Sequence, residues 1–438
     1  MKVILSTLFL AILLPSTALA EEVAPTFDSG DTAWMLVSAL LVLMMTLPGL
    51  ALFYGGLVKK DNVLSTLMQS LAVCAVISVF WPIIGYTLAF TENNMFVGGM
   101  DKFMLAGVGV DSAEGTIPET VFIMFQMTFA IITTALLIGA VADRIKFKAL
   151  LVFAPLWMII VYAPIAHWVW GPGGFIGGIG LDDYEGFLGF GEALDFAGGT
   201  VVHINSGIAG LVAAFVLGKS LRDRPPSTDN NLVMSVIGTG LLWVGWFGFN
   251  AGSSLAAGGS AGYAMLVTNA AAGMAGLTWI VVELLHKRKA SVVGALSGVV
   301  AGLVAITPAA GFVDFQGSLF IGFASGIACY LAITLMKSGL KDYDALDVFG
   351  LHGIGGIVGA LLTGVFASSA IGGVGGLLEG NAEQLMAQLV SIIVVCVYSA
   401  IMTFALLILV RFMMGGLRVK ATTETNGLDL AMHGEKVS

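Results

Sequence analysis

Two histidines occupy matching positions in two apolar stretches of the chain. His203 follows Asp195 by eight residues and is followed, after three residues, by the motif G-I-A-G. His352 follows Asp344 by the same eight residues and is followed by G-I-V-G at the same spacing. An ionisable side chain inside an apolar span is a functional candidate, because a neutral imidazole can share or accept a proton and can bind a polar solute.

The alternative for each histidine is a packing role with satisfied hydrogen bonds, but the symmetric placement of two favours a function. A zinc site is a weaker interpretation, because neither imidazole has a nearby cysteine or carboxylate to complete a ligand set. Desolvation disfavours the charged form of an imidazole pair in an apolar lumen. We therefore expect the imidazoles of His203 and His352 to be neutral and to bind a polar solute or relay a proton.

The aspartates of the two motifs stand too far away to act beside the histidines. Eight residues of helix span roughly 12 Å, which is about two turns. We therefore expect Asp195 near the start of its helix, as an N-cap or loop anchor rather than as a ligand. The same expectation applies to Asp344 and Asp347.

The elements that carry these residues must lie in a membrane. Of 438 residues, 58% are hydrophobic and 11% are charged, whereas soluble domains carry about 25% charged residues. The 58 glycines suit close packing of membrane helices. The net charge of -9, without an extended basic run, argues against nucleic-acid binding. The three cysteines fall in apolar runs without metal-ligand spacing and are expected to be packing residues.

Eleven apolar stretches follow the N-terminal region, and most are long enough to cross a bilayer as tilted helices. We therefore predict an all-α integral membrane fold with eleven transmembrane helices. Their approximate limits are 32–58, 63–91, 118–142, 149–169, 197–218, 231–255, 261–285, 291–309, 316–336, 345–367 and 385–414.

The basic residues indicate how these helices are oriented. Of 19 lysines and arginines, all except Lys2 and Lys102 lie in the odd-numbered loops, at the end of the last span or in the tail. Positive residues mark the cytoplasmic side of a membrane. We therefore expect a protein of the bacterial cell membrane, with its mature N-terminus outside the cell and its C-terminus in the cytoplasm. The cytoplasmic loops are too short for a kinase, cyclase or ATPase domain, and the sequence has no P-loop pattern.

The first twenty residues have the features of an export signal. Lys2 precedes an apolar run that is short for a membrane span, and Ala18-Leu19-Ala20 forms a small-x-small cleavage site. We predict cleavage after Ala20, with an uncleaved signal anchor as the alternative. The expected domains are a signal peptide at 1–20, a membrane domain at 21–415 and a cytoplasmic regulatory tail at 416–438.

The two histidine motifs fall in predicted spans five and ten, which run in opposite directions. Matching motifs on oppositely directed spans predict an inverted repeat, with spans 1–5 related to spans 6–10 and the eleventh helix outside it. In folds of this kind the solute site lies near the repeat interface, around the middle of the membrane. His203 and His352 are therefore expected near this interface, as a symmetric pair on oppositely directed helices.

Several motifs together make the chain resemble a known family, the ammonium transporters of the Amt/Mep/Rh superfamily, and within it the bacterial Amt branch. The resemblance covers essentially all of the predicted mature chain. Its motifs are PGLALFYGG at 48–56, FQMTFA at 125–130, PIAHWVWG at 164–171, DFAGGTVVHIN at 195–205, GWFGFNAGS at 245–253 and DVFGLHG at 347–353.

The resemblance implies uptake of ammonium or ammonia through a hydrophobic pore, without a cofactor or metal and without enzymatic activity. It implies that His203 and His352 are the pore's twin histidines, that Trp246 lines the pore, and that Phe129 and Phe249 form its gate. An outer ammonium-binding site is implied for four residues, namely Trp170, Phe125, Phe129 and Ser253. The family pattern makes Asp195 structural, and it further implies a homotrimer and cytoplasmic control by a PII-type signal protein.

Physical chemistry supports these implied roles, because aromatic faces attract a small cation by about 0.5–2 kcal/mol each. Carrying the charge to the middle of a bilayer costs about 2.5 kcal/mol or more, and deprotonation at the mouth avoids much of this cost. The acidic outer segment 171–194 either concentrates cations or is a solvated loop, and we favour the loop. The other functions considered are an ammonium sensor of the same fold, a channel for another small solute and, least favoured, an intramembrane enzyme.

Overall fold

The computed structural model describes residues 27–181, 185–221, 231–336 and 342–437. The predicted signal peptide at 1–20 and its cleavage point lie outside these residues. So do two acidic residues of the predicted outer segment and four basic residues of the predicted cytoplasmic loops, namely Asp182, Asp183, Arg222, Arg224, Lys337 and Lys341.

The described ranges contain ten helices that are long and apolar enough to cross a membrane. These are α1 (Ser29–Leu57), α2 (Lys60–Phe90), α3 (Glu119–Ile138), α4 (Phe147–Trp170), α5 (Gly199–Leu217), α6 (Leu232–Gly252), α7 (Gly259–Lys287), α9 (Phe315–Leu335), α10 (Phe349–Phe366) and α11 (Ala382–Met413), with the shorter apolar helix α8 (Val292–Ile306) between α7 and α9. The predicted all-helical, multi-span membrane fold is confirmed. The stretch predicted at 291–309 contains only the 15 residues of α8 as an α-helix.

Short elements connect the long helices. An antiparallel hairpin of β1 (Asn93–Asn94) and β2 (Val97–Gly98) follows α2, and a second hairpin of β3 (Ala113–Glu114) and β4 (Ile117–Pro118) precedes α3. Single helical turns lie at Phe103–Leu105, Phe187–Gly189, Ser369–Gly372 and Leu377–Glu379. The C-terminal region forms α12 (Ala421–Asn426) and α13 (Leu428–His433).

Loops that were predicted to share one side of the membrane meet at one end of the helix bundle. Arg144, in the loop after α3, is fully buried. Its guanidinium donates hydrogen bonds to the carbonyl oxygens of Gly218 and Tyr343, which lie in the loops after α5 and before α10. The tail joins the same cluster, because the amide of Val419 donates to the carbonyl oxygen of Arg144.

The two helices that carry the histidines begin with the same irregularity. The π-helical turn Gly199–Ile204 opens α5, and the π-helical turn Phe349–Gly353 opens α10. Each turn continues as a 13-residue α-helix. Turns of this kind are rare and often occur at functional sites. Both histidines therefore stand on locally widened helix rather than on regular α-helix.

α5 and α10 cross at glycine positions, so that no side chain separates their backbones at the crossing. A Cβ atom on Gly207 would overlap the backbone of Gly353. A Cβ atom on Gly356, the equivalent position of the other motif, would lie 3.0 Å from the carbonyl oxygen of Gly199. Each motif glycine thus packs against the π turn of the other helix, and this close approach brings the two histidines together.

Candidate functional site

Five aromatic rings form a continuous row through the buried interior. The ring centroids are 5.9 Å apart between Trp170 and Phe129, and 4.1 Å apart between Phe129 and Phe249. The row continues from Phe249 to His203 at 6.1 Å and from His203 to His352 at 5.3 Å. Five helices supply these residues, one each: α3, α4, α5, α6 and α10. The structure therefore brings together the histidines and the gate residues that the sequence singled out.

The two histidines are hydrogen-bonded to each other. Their Nδ1 atoms lie 3.2 Å apart, and their rings are inclined by 22°. One Nδ1 must donate and the other must accept, so the tautomer of one ring sets the tautomer of the other. The Nε2 atom of His203 is buried and has no hydrogen-bond partner among the described residues. A buried, unpaired nitrogen is free to bind a solute that enters the row.

The indole of Trp246 packs on the imidazole of His203. The ring centroids are 5.4 Å apart and the planes are inclined by 21°. The indole nitrogen donates a hydrogen bond of 2.9 Å to Oγ1 of Thr307, whose hydroxyl donates to the carbonyl oxygen of Leu303. Thr307, at the end of α8, therefore fixes the orientation of the ring that covers His203.

A cavity of about 460 Å³ lies at the Trp170 end of the row. All four residues predicted to bind ammonium line it, namely Phe125, Phe129, Trp170 and Ser253. The rest of the wall consists of Phe90, Glu114, Phe122, Gln126, Pro172, Ile179, Phe196 and Leu255. The cavity is thus mainly aromatic and apolar, with a few polar groups, as is usual for small-molecule sites.

Hydrogen bonds fix two of the cavity residues. The indole nitrogen of Trp170 donates to the carbonyl oxygen of Asp195 at 2.8 Å. The hydroxyl of Ser253 donates to the carbonyl oxygen of Phe249 at 2.8 Å. Because its single hydrogen is used in this bond, the Ser253 oxygen offers only lone pairs to the cavity. It can accept a hydrogen bond from a solute but is not available to donate one.

Asp195 lies at the start of α5 and not beside His203. Its carboxylate accepts hydrogen bonds from the backbone amides of Gly198, Gly199, Thr200 and Val201, and from the Thr200 hydroxyl. Asp344 accepts from the amides of Val348 and Phe349 at the start of α10. Both aspartates therefore satisfy the first amides of the turns that carry the histidines from the preceding loop, while the N-cap positions themselves are Gly198 and Val348.

Sequence reasoning missed several residues of this site. Phe122 and Gln126 share one face of α3 with Phe125 and Phe129, because positions three and four residues apart lie on the same side of a helix. This spacing could have identified them. The contacts made by Glu114 and Thr307 depend on long-range packing, and no local pattern indicates them. Of the described acidic residues in the segment 171–194, neither Glu185 nor Glu192 lines the cavity.

The fold and the buried row of rings define a class of protein, a membrane transport protein for a small solute. Within the described ranges, no group of three or more metal-ligating side chains is placed to hold a metal ion. The sequence model of the Ammonium Transporter Family matches residues 33–438. The chain therefore belongs to the ammonium transporter family.

Individual relatives agree with this assignment along nearly their whole length. An ammonium transporter of Bacillus subtilis is 49% identical over 413 residues, which cover 93% of this chain and 98% of the relative. An ammonium transporter of Aquifex aeolicus is 48% identical over 411 residues, which cover 93% of each chain.

Two solved structures of the same fold come from fungi. Candida albicans Mep2 superposes with a TM-score of 0.82 at 34% identity, covering 90% of this chain and 87% of Mep2. Saccharomyces cerevisiae Mep2 gives a TM-score of 0.79 at 35% identity, covering 91% of this chain and 89% of the other.

Proposed function

We propose that the chain takes up ammonium in three steps along the row of rings. Ammonium binds in the aromatic cavity, gives up a proton at the mouth, and passes as ammonia between Phe129 and Phe249 to the histidine pair. The proton follows a separate route. The observation that carries this proposal is the row itself, which joins a cavity suited to a cation with a buried imidazole pair suited to a neutral solute.

The cavity has the chemistry that an ammonium ion requires. The ion is a small cation with four N–H donors. Trp170, Phe125 and Phe129 offer aromatic rings, and each cation–π contact contributes about 0.5–2 kcal/mol depending on desolvation. Ser253 offers an acceptor and no free donor, because its hydrogen is already bonded to Phe249. This arrangement favours ammonium over a cation that has no hydrogen to donate.

The gate is closed in this conformation. Phe129 and Phe249 stack with centroids 4.1 Å apart and planes inclined by 23°, and both rings are buried. Rings in van der Waals contact leave no passage between them, so at least one must rotate for each solute molecule. Such side-chain motion is fast compared with the large rearrangements of alternating access.

The histidine pair suits ammonia better than ammonium. Moving a unit charge to the middle of the bilayer costs about 2.5–3.5 kcal/mol, a cost that neutral ammonia avoids. Ammonia can donate a hydrogen bond to the unpaired Nε2 of His203 or accept one from it, depending on the tautomer of the ring. The pair therefore replaces part of the hydration that ammonia loses beyond the gate.

We further propose eleven spans, with α8 as the eighth and an inverted repeat of spans 1–5 and 6–10. The matched π turns, aspartate caps and glycine contacts of α5 and α10 support the repeat. The distribution of basic residues supports a protein of the bacterial cell membrane, with its mature N-terminus outside the cell and its C-terminus in the cytoplasm.

Other parts of the proposal rest on the sequence and its family resemblance. They are the signal peptide at 1–20, the membrane domain at 21–415, the regulatory tail at 416–438, the homotrimer and the PII-type partner. The sensor alternative is weaker, because relatives at 44–49% identity are named ammonium transporters.

The test is reconstitution in liposomes, with ammonium-evoked current and internal pH recorded together. If ammonia and its proton move by separate routes, ammonium should evoke a current that depends on the pH gradient. Ammonia alone predicts a rise in internal pH without a current. Absence of both signals in liposomes that contain folded protein would contradict transport. At constant ionic strength, a tenfold excess of potassium or caesium should leave most of the ammonium response in place, because these ions can reach the rings but cannot donate a hydrogen bond to Ser253.

A further inference from the structure

One acidic residue, Glu114, lines the aromatic cavity, and it comes from the hairpin that precedes α3. Glu114 is the last residue of β3, and its partner across the hairpin is Ile117. It forms part of the cavity wall together with Phe125, Trp170 and Ser253. No hydrogen bond or ion pair among the described residues engages its side chain. Among the described residues that line the cavity, Glu114 is the one with an acidic side chain.

The surroundings of Glu114 leave its charge only partly compensated. The neighbouring carboxylate, Glu119, is already bonded to the hydroxyl of Tyr86 and to Lys102. Burial raises the pKa of Glu114, and repulsion by Glu119 raises it further, while Lys102 lowers it. A cation that enters the cavity would relieve the repulsion and replace lost hydration. The side chain is thus placed to interact favourably with a positively charged solute.

The hairpin is held rigidly against the rest of the mouth. The hydroxyl of Thr116 donates to Oδ2 of Asp31 at 2.6 Å, and the amide of Ala257 donates to Oδ1 of the same carboxylate at 2.7 Å. Asp31 lies in the first turn of α1. It therefore joins the turn next to Glu114 with the loop that follows Ser253, so that the two walls keep a fixed relation.

We propose that Glu114 is a cation-capture residue that acts before the aromatic site. It attracts monovalent cations into the cavity, where the rings and Ser253 select ammonium. The interaction is electrostatic and reversible, and no bond is made or broken. The inference rests on the proposed function of the cavity and adds to it the group that sets how much ammonium reaches the rings at low concentration.

The matched control is Asp111, which lies three residues before Glu114 on the same loop. Both residues are exposed, but only Glu114 lines the cavity. Glu114→Gln and Asp111→Asn each remove one negative charge from the same region of the surface. A difference between them therefore reports the position of the charge and not the net charge of the protein. Glu114→Asp keeps the charge on a side chain that is one methylene shorter.

The experiment measures ammonium-evoked currents in proteoliposomes over a series of ammonium concentrations, at low and at high ionic strength. At low ionic strength, Glu114→Gln should raise the half-saturating concentration about threefold or more, as expected for one partly desolvated charge pair. The difference should shrink at high ionic strength because salt screens it. Asp111→Asn should match the unmodified chain, and Glu114→Asp should lie between that chain and Glu114→Gln.

Equal half-saturating concentrations for Glu114→Gln and Asp111→Asn would overturn the inference, as would equal values for Glu114→Gln and Glu114→Asp. Either result leaves ammonium transport intact, because the unmodified chain still gives a current. If the unmodified chain gives neither a current nor a rise in internal pH, the proposed function fails instead. Thermal unfolding of each variant in detergent identifies a loss of response that comes from misfolding.

Discussion

The Nδ1 atoms of His203 and His352 lie 3.2 Å apart, although the two residues are separated by 149 positions in the chain. At this distance a single hydrogen lies between the two nitrogens. A second one would place two donors face to face and, if both rings were charged, two cations side by side. The pair therefore behaves as one unit that holds a shared hydrogen, and not as two independent imidazoles.

The first prediction concerns this shared hydrogen. His352→Leu removes its partner and leaves the Nδ1 of His203 buried and unpaired, which costs about 1–3 kcal/mol. We expect ammonium flux in liposomes to fall about tenfold or more, because an increase of about 1.4 kcal/mol in the free-energy barrier to passage slows it tenfold. His203→Leu should have a similar effect, and the double variant should be little worse than either single one.

His286→Leu is the control for the histidine variants. His286 lies at the exposed end of α7, where its Nδ1 contacts the hydroxyl of Tyr330. The same chemical change there should leave the flux within about twofold of the unmodified chain, as for most surface substitutions. Unchanged flux in both His203→Leu and His352→Leu would remove the pair from the mechanism.

The second prediction isolates the acceptor in the cavity. Ser253→Ala removes the oxygen that can accept a hydrogen bond from ammonium but keeps the aromatic rings. We expect the half-saturating ammonium concentration to rise about fivefold, which corresponds to one net hydrogen bond of about 1 kcal/mol. Dose–response currents measure this shift. Ser254→Ala is the matched control, because the Ser254 hydroxyl bonds to the carbonyl oxygens of Ala251 in α6 and Ala256 in the following loop, and Ser254 does not line the cavity.

Much of this site follows from local patterns in the sequence. The spacing of Asp195, His203 and Gly207, repeated at Asp344, His352 and Gly356, predicts two equivalent crossing helices, and both motif aspartates lie at helix starts. Hydropathy predicts the spans, because lipid requires long apolar helices whatever their neighbours are.

Other features depend on packing between distant segments and have no local signature. The π turns at the start of α5 and α10 widen the helices at the histidines, whereas a 3.6-residue pattern assumes regular helix. Thr307 reaches Trp246 across 61 positions of the chain. Glu114 enters the cavity because a hairpin folds over its mouth. Each of these contacts exists only after the helices have assembled.

The third prediction separates a structural role of Asp195 from a role as a ligand. Asp195→Ala would leave four buried amides at the start of α5 without their acceptor, so we expect a loss of about 3 kcal/mol in unfolding free energy. Asp195→Asn keeps one acceptor oxygen and should cost about 1 kcal/mol. Thermal unfolding in detergent and transport in liposomes should decline together across the two variants.

A ligand role for Asp195 would give a different result. In that case Asp195→Asn would raise the half-saturating ammonium concentration while the unfolding temperature stayed the same. The equivalent position supplies the control, since Asp344 caps the π turn of α10 in the same way. Asp344→Asn should destabilise the protein by a similar amount and should also leave the half-saturating concentration unchanged.

The last prediction concerns how the tail is held against the membrane domain. The carboxylate of Asp429 accepts hydrogen bonds from the amides of Ser65 and Leu64 at 2.8 and 3.1 Å, and therefore caps the regular part of α2, which begins at Val63. Asp429→Ala removes this cap, which contributes about 1 kcal/mol, and should release α13. We expect proteolytic cleavage beyond residue 426 to become about fivefold faster, because cleavage follows the population of the open form. Glu435→Ala removes an exposed carboxylate from the same tail and should leave the rate unchanged. Equal cleavage rates in the two variants would mean that Asp429 does not hold the tail.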